Sequence, residues 1–177
     1  MSEEYKIPRR QIMAQVTLVS EPPRDLLLFV GLHAASHDGT ERPSDVLNGR
    51  ESYVPARDAQ NTMRLLNLDS ILVVTVAAKD ESVLGSLEFQ ASEAACMDVV
   101  VALEGGLRLR GYVRYVLPHG QQRLQNYLRL PERFLSLYDG PRVHLINRRR
   151  VIWVECQNAD AKNANTDSPS TASLPQL

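Results

Sequence analysis

The chain has 177 residues, 44% apolar and 23% charged, with a formal net charge of −1 at pH 7. These are the proportions of an ordinary soluble globular protein, and the net charge gives no sign of a polyanionic partner. No apolar stretch reaches membrane-span length, and no apolar leader with a cleavage site opens the chain, so the expectation is a cytoplasmic protein of bacterial type with no membrane partner.

Residues 1–10 are charged, contain Pro8 and read as an N-terminal arm. In Gln11–Ser20, Ile12, Ala14, Val16 and Leu18 alternate with other residues, which predicts a strand with one buried face. Pro22 and Pro23 end it, because neither donates to a ladder. Leu26–Leu32 is an unbroken apolar run that reads as a strand covered on both faces, with Gly31 marking a bulge or a close backbone approach. His33–Glu41 is polar. His33, His37 and Asp38 give the one metal-like spacing there, but no further ligands can be named, so the segment reads as a solvated loop and no metal is expected. Pro43, Ser44 and Asp45 start a short helical turn, with Ser44 and Asp45 as caps and Leu47 tucked inward. Strands follow at 52–57, 62–67 and 70–76, linked by Asp58-Ala-Gln-Asn61 and Asn67-Leu-Asp69, residues that tolerate tight-turn backbone angles.

Residues 78–96 form an acidic connecting segment, with helical spacing at Val83, Leu84 and Leu87. Strands at 98–104 and 107–114 meet at Gly105-Gly106. A turn at Pro118-His-Gly120 and a helical turn at Leu124–Leu130 precede strands at 133–138, 142–146 and 150–155. Residues 157–177 are polar and have little to bury, so they read as a disordered tail.

The same order thus occurs twice. Arg42 aligns with Arg123, Asp45 with Asn126, Leu47 with Leu128, Tyr53 with Phe134, Asn67 with Asn147 and Ile71 with Val151; further upstream Gly31 is set against Gly111. The expectation is an all-β protein: a tandem duplication of a small five-stranded barrel-like domain, each copy with one short helical turn. The repeats span 11–77 and 97–156, with a pseudo-twofold packing between them. Units this small bury little surface alone, so they should pack on each other or on a second chain. Cys96 and Cys156 bracket the second copy and read as free thiols.

Charge is uneven. Residues 14–77 hold 5 Arg against 8 acidic residues, whereas residues 97–155 hold 10 Arg against 5. Arg148-Arg149-Arg150, with Arg142 nearby and Arg108 and Arg110 alternating on one strand, forms a candidate anion patch. Trp153 shares the strand parity of Val151 and is expected in the core. No Ser stands in a nucleophile elbow, no glycine loop cradles a phosphate, and no cofactor is implied. A pocket gathering His119 or His144 with a carboxylate would be the sign of catalysis; without it the reading is not an enzyme.

The motif Arg-x-x-(Asp/Asn)-x-Leu, then a strand led by Tyr53 or Phe134, then Leu-(Leu/Ile)-Asn and Ile71 or Val151, resembles uncharacterised bacterial proteins with short β-rich domains. Its layout is similar to Sm-like and SH3-like barrels, over both copies. The resemblance implies a fold and no activity. Arg9-Arg10 before a strand also resembles the entry of PilZ domains, but the downstream Asp/Asn-x-Ser-x-x-Gly element is missing. The function expected is a non-enzymatic binding or scaffolding module that partners another protein or forms a homo-oligomer. The alternative is binding of nucleic acid or a phosphate ligand by the basic second repeat.

Overall fold

The computed structural model describes residues 9–34, 37, 39–82, 94–118 and 123–157. Ile12, Ala14 and Val16 alternate with Gln11, Met13 and Gln15, and this period of two makes β1 (Arg9–Leu18) a strand with one face inward. β2 (Arg24–Gly31) does the same with Leu26, Leu28 and Val30, so its apolar run is covered on one face and not both. α1 (Pro43–Leu47) then leads to β3 (Tyr53–Arg57), β4 (Met63–Asn67) and β5 (Ile71–Ala77). After α2 (Ala78–Glu81) come β6 (Ala95–Leu103), β7 (Arg108–Tyr115), α3 (Leu124–Leu128), β8 (Phe134–Asp139), β9 (Arg142–Asn147) and β10 (Val151–Cys156).

All ten strands belong to one antiparallel sheet in the order β10-β6-β7-β8-β9-β5-β1-β2-β3-β4. The fold is all-β, but the sheet is open. Closing either half into its own barrel would require β4 on β5 and β9 on β10; instead β5 takes β9 as its second neighbour, which leaves β4 and β10 at the ends. In the expected repeat β5 answers β10 and β9 answers β4, so the β5·β9 junction is not the pseudo-twofold packing expected.

That junction is where the sheet is most completely covered. Val74 pairs with Leu145 and Val76 with Val143, and these side chains enter a core built with Ile12, Val16, Leu28, Leu47, Leu68 and Phe134. Val73 pairs with Ile146, and both enter a second core with Val101, Leu103, Val113, Leu135 and Leu137. Successive residues of β5 and β9 thus serve cores on opposite faces, so both strands read as near-continuous apolar runs.

The ends of several elements differ from expectation. Arg9 and Arg10 belong to β1, opposite Gly31 and Val30, and not to an arm, because β2 is long enough to pair with them. Ala95 and Cys96 belong to β6, not to the connecting segment, since β7 pairs with them at Tyr115 and Arg114. The expected helix around Val83, Leu84 and Leu87 and the tail from residue 158 lie outside the described residues. Both cysteines are free and exposed.

The helical turns are built differently. In α1, Leu47 is fully buried, as expected. Asp45 caps from inside the turn by accepting the Arg42 backbone N–H at 2.9 Å, whereas the Ser44 N–H points to the Glu81 carboxylate at 3.2 Å. In α3, Leu128 is only half-buried; Leu124 and Tyr127 face inward, and Tyr127 stacks on Tyr115 with ring centroids 4.9 Å apart. Gly31 and Gly111 are not equivalent either. Leu27 faces Arg57 and Tyr112 faces Tyr138, so if Arg57 and Tyr138 correspond, as the expected repeat has them, Gly111 falls against Leu26.

Candidate binding surfaces

Six arginines were expected to form one anion patch, and the structure divides them into two groups. Arg148, Arg149 and Arg150 make a 3-10 turn between β9 and β10, capped by Asn147 Oδ1, which accepts the Arg149 N–H at 3.1 Å. Arg148 is turned inward: its Nη1 donates to the Tyr127 carbonyl at 2.7 Å, and its guanidinium lies 5.5 Å from the Tyr127 ring centre. Arg150 donates to the Asp69 carbonyl at 2.6 and 3.1 Å and to Glu104 Oε2 at 2.9 Å. Arg149 is the exposed member, 3.6 Å from the Asp69 carboxylate. Arg148 thus ties the β9–β10 turn to α3, and Arg150 ties it to the turn before β5 and to Glu104 after β6.

Arg108, Arg110 and Arg142 do converge. With Gln15, Thr75, Asp139 and His144 they line a cleft of about 430 Å³ over the β5·β9 junction. Arg142 Nη2 donates to Asp139 Oδ2 at 2.8 Å, and the Arg108 guanidinium sits 5.3 Å from the Trp153 ring centre. The cleft gathers His144 with the Asp139 carboxylate, a combination of residue types suited to acid–base catalysis. His144 Nδ1 lies 2.9 Å from Thr75 Oγ1, while Nε2 is 3.6 Å from Asp139 Oδ2, beyond a hydrogen bond. Burial lowers the His144 pKa against the opposing pull of Asp139, which keeps the ring neutral at pH 7. Thr75 and His144 are direct partners in the ladder, so their contact is accounted for as a cross-strand pair. His119 lies outside the described residues. His37, from the metal-like spacing, bonds Asp45 Oδ2 at 2.9 Å; Asp38 lies outside the described residues. Among the described residues no cluster has a metal-binding composition, and no helix is long and apolar enough to cross a membrane.

The second surface was missed by residue-type reasoning because it consists of exposed apolar side chains on two edge strands. Met63 and Leu65 on β4, and Ile152 and Trp153 on β10, stand out of the ends of the sheet. Trp153 is not the core residue expected from its parity: β10 has a ladder neighbour on one side only, so its ring is 38% exposed beside Arg108. Each end presents backbone N–H and C=O groups to a further strand. The available sequence signal was the apolar character of two strands that topology leaves uncovered. No family model, curated protein or solved structure matches this chain.

Proposed function

We propose that the chain is a duplicated five-stranded unit acting as a non-enzymatic binding or scaffolding module, with protein partners engaged by strand addition at the two open ends of the sheet. The duplication is supported by the order of strands: β5-β1-β2-β3-β4 in the first block and β10-β6-β7-β8-β9 in the second. The irregularities agree as well. The β1·β5 ladder slips past Leu72, and the β10·β6 ladder slips past Ile152, the residue aligned with it. On this reading residues 11–77 and 97–156 are two Sm-like or SH3-like units, each left open at one seam.

The observation that carries the functional reading is the pair of apolar edges on β4 and β10. An unpaired edge offers main-chain hydrogen bonds, and its alternate side chains offer selectivity. The test is affinity capture from the native host with the wild-type chain and with Leu65→Lys and Ile152→Lys. Partners held by the wild type and released by an edge variant support the reading. A partner set unchanged by both variants overturns it.

A second reading rests on the arginine-lined cleft. Arg108, Arg110 and Arg142 around neutral His144 suit an anionic ligand such as a phosphate or a nucleic-acid backbone. Gel-shift titration over a salt series should then show affinity that falls with salt and drops in the Arg108→Ala, Arg110→Ala double variant. No shift at low salt would remove it.

A further inference from the structure

We infer that the partner of one sheet end is the opposite end of a second copy of this chain, joined in the register already seen within the chain at β5·β9. The inference rests on the strand-addition reading above and specifies its partner.

Asn67 aligns with Asn147 and Ile71 with Val151, so β4 is the counterpart of β9 and β10 the counterpart of β5. The β5·β9 contact therefore shows how a strand of the β10 kind sits on a strand of the β4 kind. Among the described residues this contact is made once, and it leaves one strand of each kind with a ladder partner on one side only.

The uncovered residues are those the junction buries. Leu145 is 0% exposed at the junction, while its counterpart Leu65 is 69% exposed at the β4 end. Leu72 is 6% exposed, and its counterpart Ile152 is 62%. Val73 and Trp153 differ in the same sense. Covering such side chains removes apolar area from water, which favours association.

Side-chain chemistry also agrees when the junction register is transferred. Val73 faces Ile146, Val74 faces Leu145 and Thr75 faces His144 within the chain. Between copies, Trp153 would face Leu66, Val154 would face Leu65 and Glu155 would face Arg64. The first two positions stay apolar. At the third, the Thr75 to His144 hydrogen bond of 2.9 Å is replaced by an acid opposite a base. Arg64 already holds Asp58 at 3.0 Å, and Glu155 accepts from Gln157 at 2.8 Å, so both charges are held by a neighbour in the free chain. A guanidinium carries five donors and retains capacity for a second carboxylate.

Asn67 repeats the remaining feature. Asn147 accepts the Arg149 N–H with its Oδ1 and reaches across the junction with its Nδ2 to the carbonyls of Leu68 and Ile71, at 3.2 and 2.9 Å. Asn67 accepts the Asp69 N–H in the same way at 3.0 Å, so its Nδ2 would reach the Arg148 and Val151 carbonyls of the next copy. Such contacts are head to tail, and they close into rings or run on as filaments according to the rotation per copy.

The test is the solution mass of the full chain by light scattering and sedimentation velocity. The wild type is expected at multiples of 19.8 kDa, with Leu65→Lys reduced to one chain while keeping its circular dichroism spectrum and a single cooperative melt. Arg64→Glu and Glu155→Arg should each lower the mass, and mixing the two should restore it, since each supplies the opposite charge at both contacts. A wild type that stays a single chain at its highest soluble concentration overturns the inference and leaves capture of another protein at the edges standing. An assembly unaffected by Leu65→Lys, or not restored by mixing the charge variants, overturns the assigned edge or register.

Discussion

Asn147 Nδ2 donates to the Ile71 carbonyl at 2.9 Å, so one fully buried amide from the second half of the sequence completes the backbone of the first. The same nitrogen reaches Leu68 O at 3.2 Å while the amide oxygen caps the Arg148–Arg150 turn. Every polar atom of this side chain is thereby used. Replacing it with Ala strands two carbonyls and an N–H, at a cost of about 3 kcal/mol. The melting temperature of Asn147→Ala should fall by roughly 6–12 °C, and Asn147→Asp should be no better, because a carboxylate oxygen would face two carbonyls. A variant as stable as the wild type would sink this account.

A second amide joins the halves at the same end of the junction, because Phe134 faces Asn147 in the β8·β9 ladder. Asn48, just after α1, accepts the Phe134 N–H at 2.7 Å and donates to the Phe134 carbonyl at 3.2 Å, behaving as a one-residue strand. Asn48→Ala should lower stability by about 1–2 kcal/mol. Chemical denaturation followed by near-ultraviolet signals, which report the two cores together, should remain a single transition with a lower midpoint. An unchanged midpoint would contradict the proposed role.

Glu81 should set a pH dependence. Burial raises its pKa from 4.5 to about 7, against the opposing hydrogen bonds of Ser44 and the attraction of Arg42; Asp45 and Tyr138 also face the region. The folded chain therefore holds a proton on Glu81 between these values that the unfolded chain has released, and stability falls as pH rises through that window. Glu81→Gln keeps an oxygen for the Ser44 N–H and removes the ionisation, so it should stabilise the protein above pH 7 by up to about 3 kcal/mol. His144 has the opposite slope: its lowered pKa means that stability is lost as pH falls below 6.5. Urea midpoints at pH 5 and pH 8 should show the Glu81 slope vanish in the variant while the His144 slope persists. An unchanged profile in Glu81→Gln would refute the assignment.

Gly111 should tolerate no side chain. A Cβ there would stand 2.3 Å from the Tyr138 carbonyl oxygen, at the place where β7 meets β8 through the Tyr112 and Tyr138 pair. Gly111→Ala must push these strands apart and should cost at least about 2 kcal/mol. Gly31→Ala provides a milder contrast, because its Cβ would meet the Glu41 carboxylate at 3.1 Å and the His33 carbonyl oxygen at 3.2 Å, so its neighbours need give by only a few tenths of an ångström. Comparable melting temperatures for the two variants would argue against strand approach as the cause.

The local order of this protein is written in its residues. Alternation at Ile12, Ala14 and Val16, and turn chemistry at Asn61 and Gly140, both with positive φ, locate strands and hairpins to within about three residues, because period and turn angles are local properties. The six arginines were also found from sequence, but not their division. Whether a guanidinium clamps a carbonyl, as Arg150 does, or lines a cleft, as Arg110 does, depends on what the fold brings beside it. Only tertiary structure decided that the two halves share one open sheet. Closing each half or pairing β5 with β9 satisfies the same apolar pattern on Val73 and Val74, and the choice rests on contacts such as Asn147 to Ile71, between residues 76 apart in the chain.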